Sequence, residues 1–144
     1  MPLILPKSVF LMIPRTGSTW ARDAIRNSME HGFNLREFGP KHSPVLPQNH
    51  PKFVFSFTRE PRAWLVSRHK LGKWNDELSA FWSENPTEFF SKVTDDMVQM
   101  YFNKYTSQCN VIGKQESLAD DLVAALKAAG ETFDEALLRA TKRR

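Results

Sequence analysis

One stretch holds the residue types and spacing most suited to chemistry: Ile13-Pro14-Arg15-Thr16-Gly17-Ser18-Thr19-Trp20. It follows an apolar run from Val9 to Ile13 and leads into a segment with helical spacing, from Thr19 to about Met29. A strand that ends in a turn of small residues and feeds a helix makes an anion site. The first amides of the helix have no partner within it, and the aligned peptide dipoles add positive potential there. Arg15 contributes a fixed cation, while Thr16, Ser18 and Thr19 contribute hydroxyl donors. The chemistry expected here is recognition of a phosphate-like group.

Nucleoside triphosphates are the first ligands to test. A Walker A loop needs G-x-x-x-x-G-K-[ST], but this loop has a single glycine, Gly17, and no lysine before Ser18. Triphosphatases also place a metal-holding carboxylate at the end of a second core strand. The clearest strand here, Lys52 to Thr58, runs instead into Arg59-Glu60-Pro61-Arg62, with Ser67 eight residues after Arg59. In a parallel sheet both strand ends lie on one edge, where ligands of such folds bind. Two anion sites on that edge suit a nucleotide with phosphate at both ends.

These residues resemble a known family, the sulfotransferases that use 3′-phosphoadenosine-5′-phosphosulfate (PAPS). Pro14 to Trp20 looks like their 5′-phosphosulfate loop, and Arg59-Glu60-Pro61 with Ser67 looks like their 3′-phosphate motif. Gln115-Glu116-Ser117-Leu118, followed by Asp121, is similar to a weaker Tyr-Glu-x-Leu segment that opens a late helix in many members. The resemblance implies a short member with a P-loop NTPase-like fold. It would move a sulfuryl group from PAPS to a hydroxyl or amine without a metal, leaving 3′,5′-adenosine bisphosphate (PAP). Arg15, where many members have lysine, would neutralise the oxygen bridging sulfur and the 5′-phosphate. Thr16, Gly17, Ser18 and Thr19 would surround that phosphate, Trp20 would stack on adenine, and Arg59 and Ser67 would hold the 3′-phosphate. His42, in Lys41-His42-Ser43-Pro44, resembles the general base, with His50 in reserve. The alternatives are a P-loop-type kinase or phosphotransferase, or a non-catalytic module that binds PAP or PAPS.

The residue types suit that chemistry independently. Sulfuryl transfer should resemble phosphoryl transfer, with a loose in-line transition state that needs placement and charge stabilisation. A neutral histidine, with its ordinary pKa of about 6.5, can take the proton of an acceptor hydroxyl. The duller readings are that Trp20 anchors a core, that Ser67, Arg62 and Arg68 face solvent, and that Glu116 orders a loop or caps a helix.

The elements that must position these groups alternate. Residues 8–13, 52–58 and 109–113 read as strands. Helices are expected over 19–29, from Pro61 to about Lys73, in two or three pieces between Asp76 and Tyr105, over 118–129, and over 133–143. The proline-rich stretch from Leu35 to Pro51 reads as an ordered loop. The pattern implies an α/β fold of three layers, a short, mainly parallel sheet flanked by helices.

The 144 residues are expected to form one domain with a basic tail at 142–144. Lys and Arg total 20 against 16 Asp and Glu, a net of +4, and the tail holds three of the positive charges. The body is therefore close to neutral, which argues against a nucleic-acid partner. The apolar run near the N-terminus is too short to cross a bilayer. A lone cysteine, Cys109, excludes an intrachain disulfide, and a cytoplasmic setting is expected.

Overall fold

In the computed structural model, which describes residues 2–39 and 42–143, the apolar run near the N-terminus folds back on itself. Pro6 and Lys7 form the reversal between β1 (Leu3–Ile4) and β2 (Ser8–Phe10), which pair antiparallel. β2 is shorter than expected. Leu11 to Ile13 continue as extended, fully buried chain, and the Leu11 amide donates to the Phe55 carbonyl at 3.0 Å.

α1 (Ser18–Ser28) follows, and the next stretch contains a two-residue strand, β3 (Arg36–Glu37), inside the segment expected to be loop. β3 pairs antiparallel with β1. The Glu37 carboxylate anchors it there by meeting Arg26 of α1 at 3.0 Å. β4 (Phe53–Thr58) lies parallel to β2, and β5 (Val111–Lys114) lies parallel to β4. The order β3-β1-β2-β4-β5 makes an open, mixed sheet rather than a mainly parallel one. β2, β4 and β5 run parallel, with β5 at one edge of the sheet, and both antiparallel pairings involve β1.

Strand alternation sends side chains to two cores. Phe10, Met12, Phe55 and Phe57 face α1, α5 (Leu118–Ala129) and α6 (Glu135–Ala140). Val9, Leu11, Ile13 and Val54 face α2 (Pro61–His69), α3 (Pro86–Lys92) and α4 (Asp95–Thr106). Helices thus cover both faces of the sheet, as the near-continuous apolar runs of its strands require.

The caps set the lengths. Pro61 occupies the first turn of α2, and Gly130 ends α5 at φ 77°. Ser117 precedes α5 as expected, but its hydroxyl donates to Asp121 at 2.9 Å instead of capping the helix amides. Among the described residues no helix is long and apolar enough to cross a membrane. Arg144 of the basic tail lies outside the described residues.

Candidate functional site

Three strand-to-helix junctions, after β2, β4 and β5, meet at the C-terminal edge of the parallel strands. A cavity of about 380 Å³ lies there.

The first junction is the loop from Pro14 to Gly17. Arg15 and Gly17 both adopt left-handed backbone, at φ 62° and 83°. Gly17 has a second constraint, since a Cβ there would lie 2.6 Å from Leu118 Cδ2. The Thr16 side chain is fully buried and donates to the Ile13 carbonyl at 2.8 Å, so it closes the turn rather than facing the cavity. Gly17 is the N-cap of α1 and offers no side-chain acceptor, and the first turn carries no acidic residue. The other long helices differ: Glu60 caps α2, Thr94 caps α4, and α5 has Asp120 and Asp121 in its first turn. The amides at the start of α1 therefore open toward the cavity that Gly17, Ser18 and Thr19 line. Gly17→Ala should lower the midpoint of thermal unfolding by several degrees, from the left-handed backbone and the Leu118 clash together. An unchanged midpoint by circular dichroism would show that this loop tolerates a Cβ.

The second junction brings another cation, Arg59, and the Ser67 hydroxyl up against Arg15 of the first. Arg15 Nε donates to Ser67 Oγ at 2.7 Å, and an Arg59 terminal nitrogen lies 3.4 Å from the Arg15 carbonyl. Arg15, Arg59 and Ser67 all line the same cavity, and among the described residues no carboxylate does. Glu60 points its carboxylate at its own helix instead, accepting from the Ala63 and Arg62 amides at 2.7 and 3.0 Å. Those amide bonds hold its pKa below the ordinary carboxylate value. The third junction braces the second. The Glu116 carboxylate accepts the Glu60 amide at 2.8 Å, the loop-ordering role expected of it, while Gln115 lines the cavity.

His42 reaches the cavity from the long loop, where Lys41 lies outside the described residues. Its Nδ1 lies 2.8 Å from the Met12 carbonyl oxygen. A carbonyl can only accept, so Nδ1 carries the proton and Nε2 of the neutral ring is the basic nitrogen. The Tyr105 hydroxyl donates to the His42 carbonyl at 2.5 Å, and Trp74 meets the ring edge-on at 5.3 Å. The ring is thus oriented from both backbone and side chain. His50 does not line the cavity; its Nδ1 is 2.5 Å from the Pro51 carbonyl.

Comparison of the chain with protein-family profiles, with curated proteins and with solved structures gives no match. The site therefore has to be read from its own geometry.

That geometry does not bring Trp20 to the cavity. Its side chain is packed in the core with Ala21, Ala24 and Ile25, the helix face set by their spacing. The indole nitrogen donates to the Thr141 carbonyl at 2.9 Å, and the Arg143 guanidinium lies 5.5 Å from the ring centre. The core role prevails over adenine stacking because α1 turns that position inward. Of the two arginines read as solvent-facing, Arg62 is exposed as expected and Arg68 is not. Arg62 joins Asp95 at 2.6 Å and the carbonyls of Phe90 and Val93 at 3.1 Å, tying α2 to the α3–α4 junction. Arg68 is fully buried against Asp76.

Sequence reasoning missed Leu71, Trp74 and Gln115 as cavity residues. Trp74 starts an aromatic-rich stretch whose other members are mostly core, and only the turn after α2 swings it toward His42. Cys109 is half-buried, and burial pushes its thiol up to about 12, so it is an inert neighbour of α4. Among the described residues no group of three or more His, Cys, Asp or Glu is placed to hold a metal ion.

Proposed function

We propose that the chain transfers a sulfuryl group from PAPS to an acceptor hydroxyl or amine. The observation that carries the reading is the single cavity shared by Arg15, Arg59, Ser67 and His42 at the edge of the parallel strands. It supplies two guanidiniums, a hydroxyl, an uncapped helix start and an oriented imidazole, with no carboxylate among the described residues that line it.

In this reading the start of α1, with the Ser18 and Thr19 hydroxyls, receives the 5′-phosphate. Arg15 lies against the bridging oxygen and offsets the charge that builds there as the bond to sulfur breaks. Arg59 and Ser67 take the 3′-phosphate. His42 accepts the acceptor's proton at Nε2 while Met12 holds Nδ1–H. Trp20 has no part in it. The kinase alternative lacks a lysine in the loop, and β4 ends in Thr58 and Arg59 where a metal-holding carboxylate would be needed.

Calorimetry without added metal tests the donor class. PAP should bind at least about tenfold more tightly than ATP or AMP, since charge-assisted bonds to a second phosphate contribute about 1.5–3 kcal/mol. Arg59→Ala should bring PAP down to the level of AMP. Equal affinities for PAP and ATP would refute the donor assignment, and PAP binding with no sulfate moved to any acceptor would leave a binding module.

A further inference from the structure

The anion cavity adjoins a second one of about 460 Å³, and His42 and Trp74 line both. The further walls come from the turn after α2, with Asn75, Asp76 and Glu77, and from α4, with Tyr101 and Lys104. A group entering from this side meets the imidazole on the border of the space assigned above to the donor.

Its charges are already matched. Both Asp76 oxygens accept from Arg68, at 2.7 and 2.9 Å. Glu77 meets Lys104 at 2.8 Å, and the Lys104 ammonium lies 4.2 Å from the centre of the Tyr101 ring. An ammonium ligand would have to displace Lys104 from Glu77, and an anionic one would have to displace Glu77 from Lys104. Neither exchange gains a new ion pair. An all-apolar ligand fails for a different reason, because it would cover Asn75, Glu77 and the Ser43 hydroxyl without giving them hydrogen bonds. What the walls offer is the half-buried Trp74 ring, since Tyr101 and Tyr105 are buried, edged by neutral or internally neutralised polar groups. Burial raises the Tyr101 and Tyr105 phenols above their ordinary pKa, so both stay protonated. This combination matches a pyranose, whose C–H face packs on an aromatic ring while its hydroxyls meet the polar edge.

We propose that the second cavity receives the acceptor, and that the acceptor is an uncharged sugar; this rests on the sulfuryl-transfer reading. One sugar hydroxyl attacks sulfur, so a sugar-oxygen-to-sulfur bond forms as the bond from sulfur to the bridging oxygen breaks. The bridging electron pair stays on the 5′-phosphate of PAP, and the hydroxyl proton passes to His42 Nε2. The product is a sugar sulfate ester, and no oxidant, reductant or metal is needed for balance.

The test uses the whole chain and three small probes: methyl β-D-glucopyranoside, tyramine and p-nitrophenol. PAP binding is measured by calorimetry, contact with each probe by saturation-transfer NMR, and turnover with labelled PAPS. The glucoside should show saturation transfer and be sulfated with kcat/KM at least about tenfold above the other two. Glu77→Ala and Asn75→Ala should each raise the glucoside KM about five- to tenfold, as loss of one hydrogen bond to substrate predicts, with PAP affinity unchanged. PAP binding with no glucoside contact, with tyramine or p-nitrophenol preferred, or with a glucoside KM untouched by both variants would overturn the sugar assignment and leave the donor reading standing. Failure of PAP to bind would end the donor reading and this inference together.

Discussion

Arg68→Ala should cost about 3–5 kcal/mol of folding stability, the range for removing one partner of a buried ion pair. Arg68 is fully buried and the Asp76 side chain is 5% exposed. The guanidinium makes two bonds to the Asp76 carboxylate, one to the Gly72 carbonyl at 2.9 Å and one to the Ser79 hydroxyl at 3.0 Å, and it lies 5.9 Å from the Trp74 ring centre. Alanine would remove all of these and leave Asp76 buried, with only the Ser79 amide and hydroxyl to satisfy it. In a domain stabilised by about 5–15 kcal/mol that is a large share of the total. Urea unfolding followed by circular dichroism measures it. A loss below about 1 kcal/mol would mean that the pair is solvated. The site should suffer too, since the same network pins the turn that carries Trp74 against His42. PAP affinity of the folded Arg68→Ala fraction should fall less than its turnover, because Arg68 does not line the anion cavity.

Nothing local in the sequence announced that network. Arg68 sits on a helix between Ser67 and His69, and an arginine followed eight residues later by an aspartate usually means two solvated charges. Only the turn of the chain after α2 folds Asp76 back under the helix. The parallel strands were more legible, because Val9 to Ile13 and Phe53 to Phe57 are apolar on both faces and lie before strand-ending turns. β1 and β3 were not, since two-residue strands owe their existence to a neighbour, here the Pro6-Lys7 reversal and the Glu37–Arg26 pair. At the site, Arg15, Arg59 and Ser67 could be placed on one edge because consecutive parallel strands end on the same side. Trp20 shows the converse: motif position suggested a ligand contact, while helical periodicity with Ala24 and Ile25 pointed to the core. His42 could be named from its neighbours in sequence but not oriented, because its Met12 and Tyr105 partners are 30 and 63 residues away.

In the proposed reaction, Arg15→Ala should lower sulfuryl transfer by about 10²–10³-fold, the cost of removing one preorganised group aimed at developing transition-state charge. The prediction follows from where the guanidinium is held. The left-handed backbone at Arg15 and the bond from its Nε to Ser67 Oγ fix the side chain across the mouth of the α1 N-terminus, with the terminal nitrogens still able to donate. An arginine so placed contributes charge and hydrogen bonds but no acid proton, so its effect should not vary with pH across the neutral range. Ground-state binding should be less sensitive, because Arg59 and the helix amides still meet the phosphates; PAP affinity is expected to fall by only about tenfold. Arg15→Lys should recover much of the rate, since a point charge can still reach the bridging oxygen, but it would lose the Nε bond that keeps Ser67 in place. Turnover of labelled PAPS by each variant, with the best acceptor of the panel, measures the rates, and calorimetry with PAP measures the binding. If Arg15→Ala loses as much PAP affinity as turnover, the residue acts in binding alone and another group must offset the charge on the leaving oxygen.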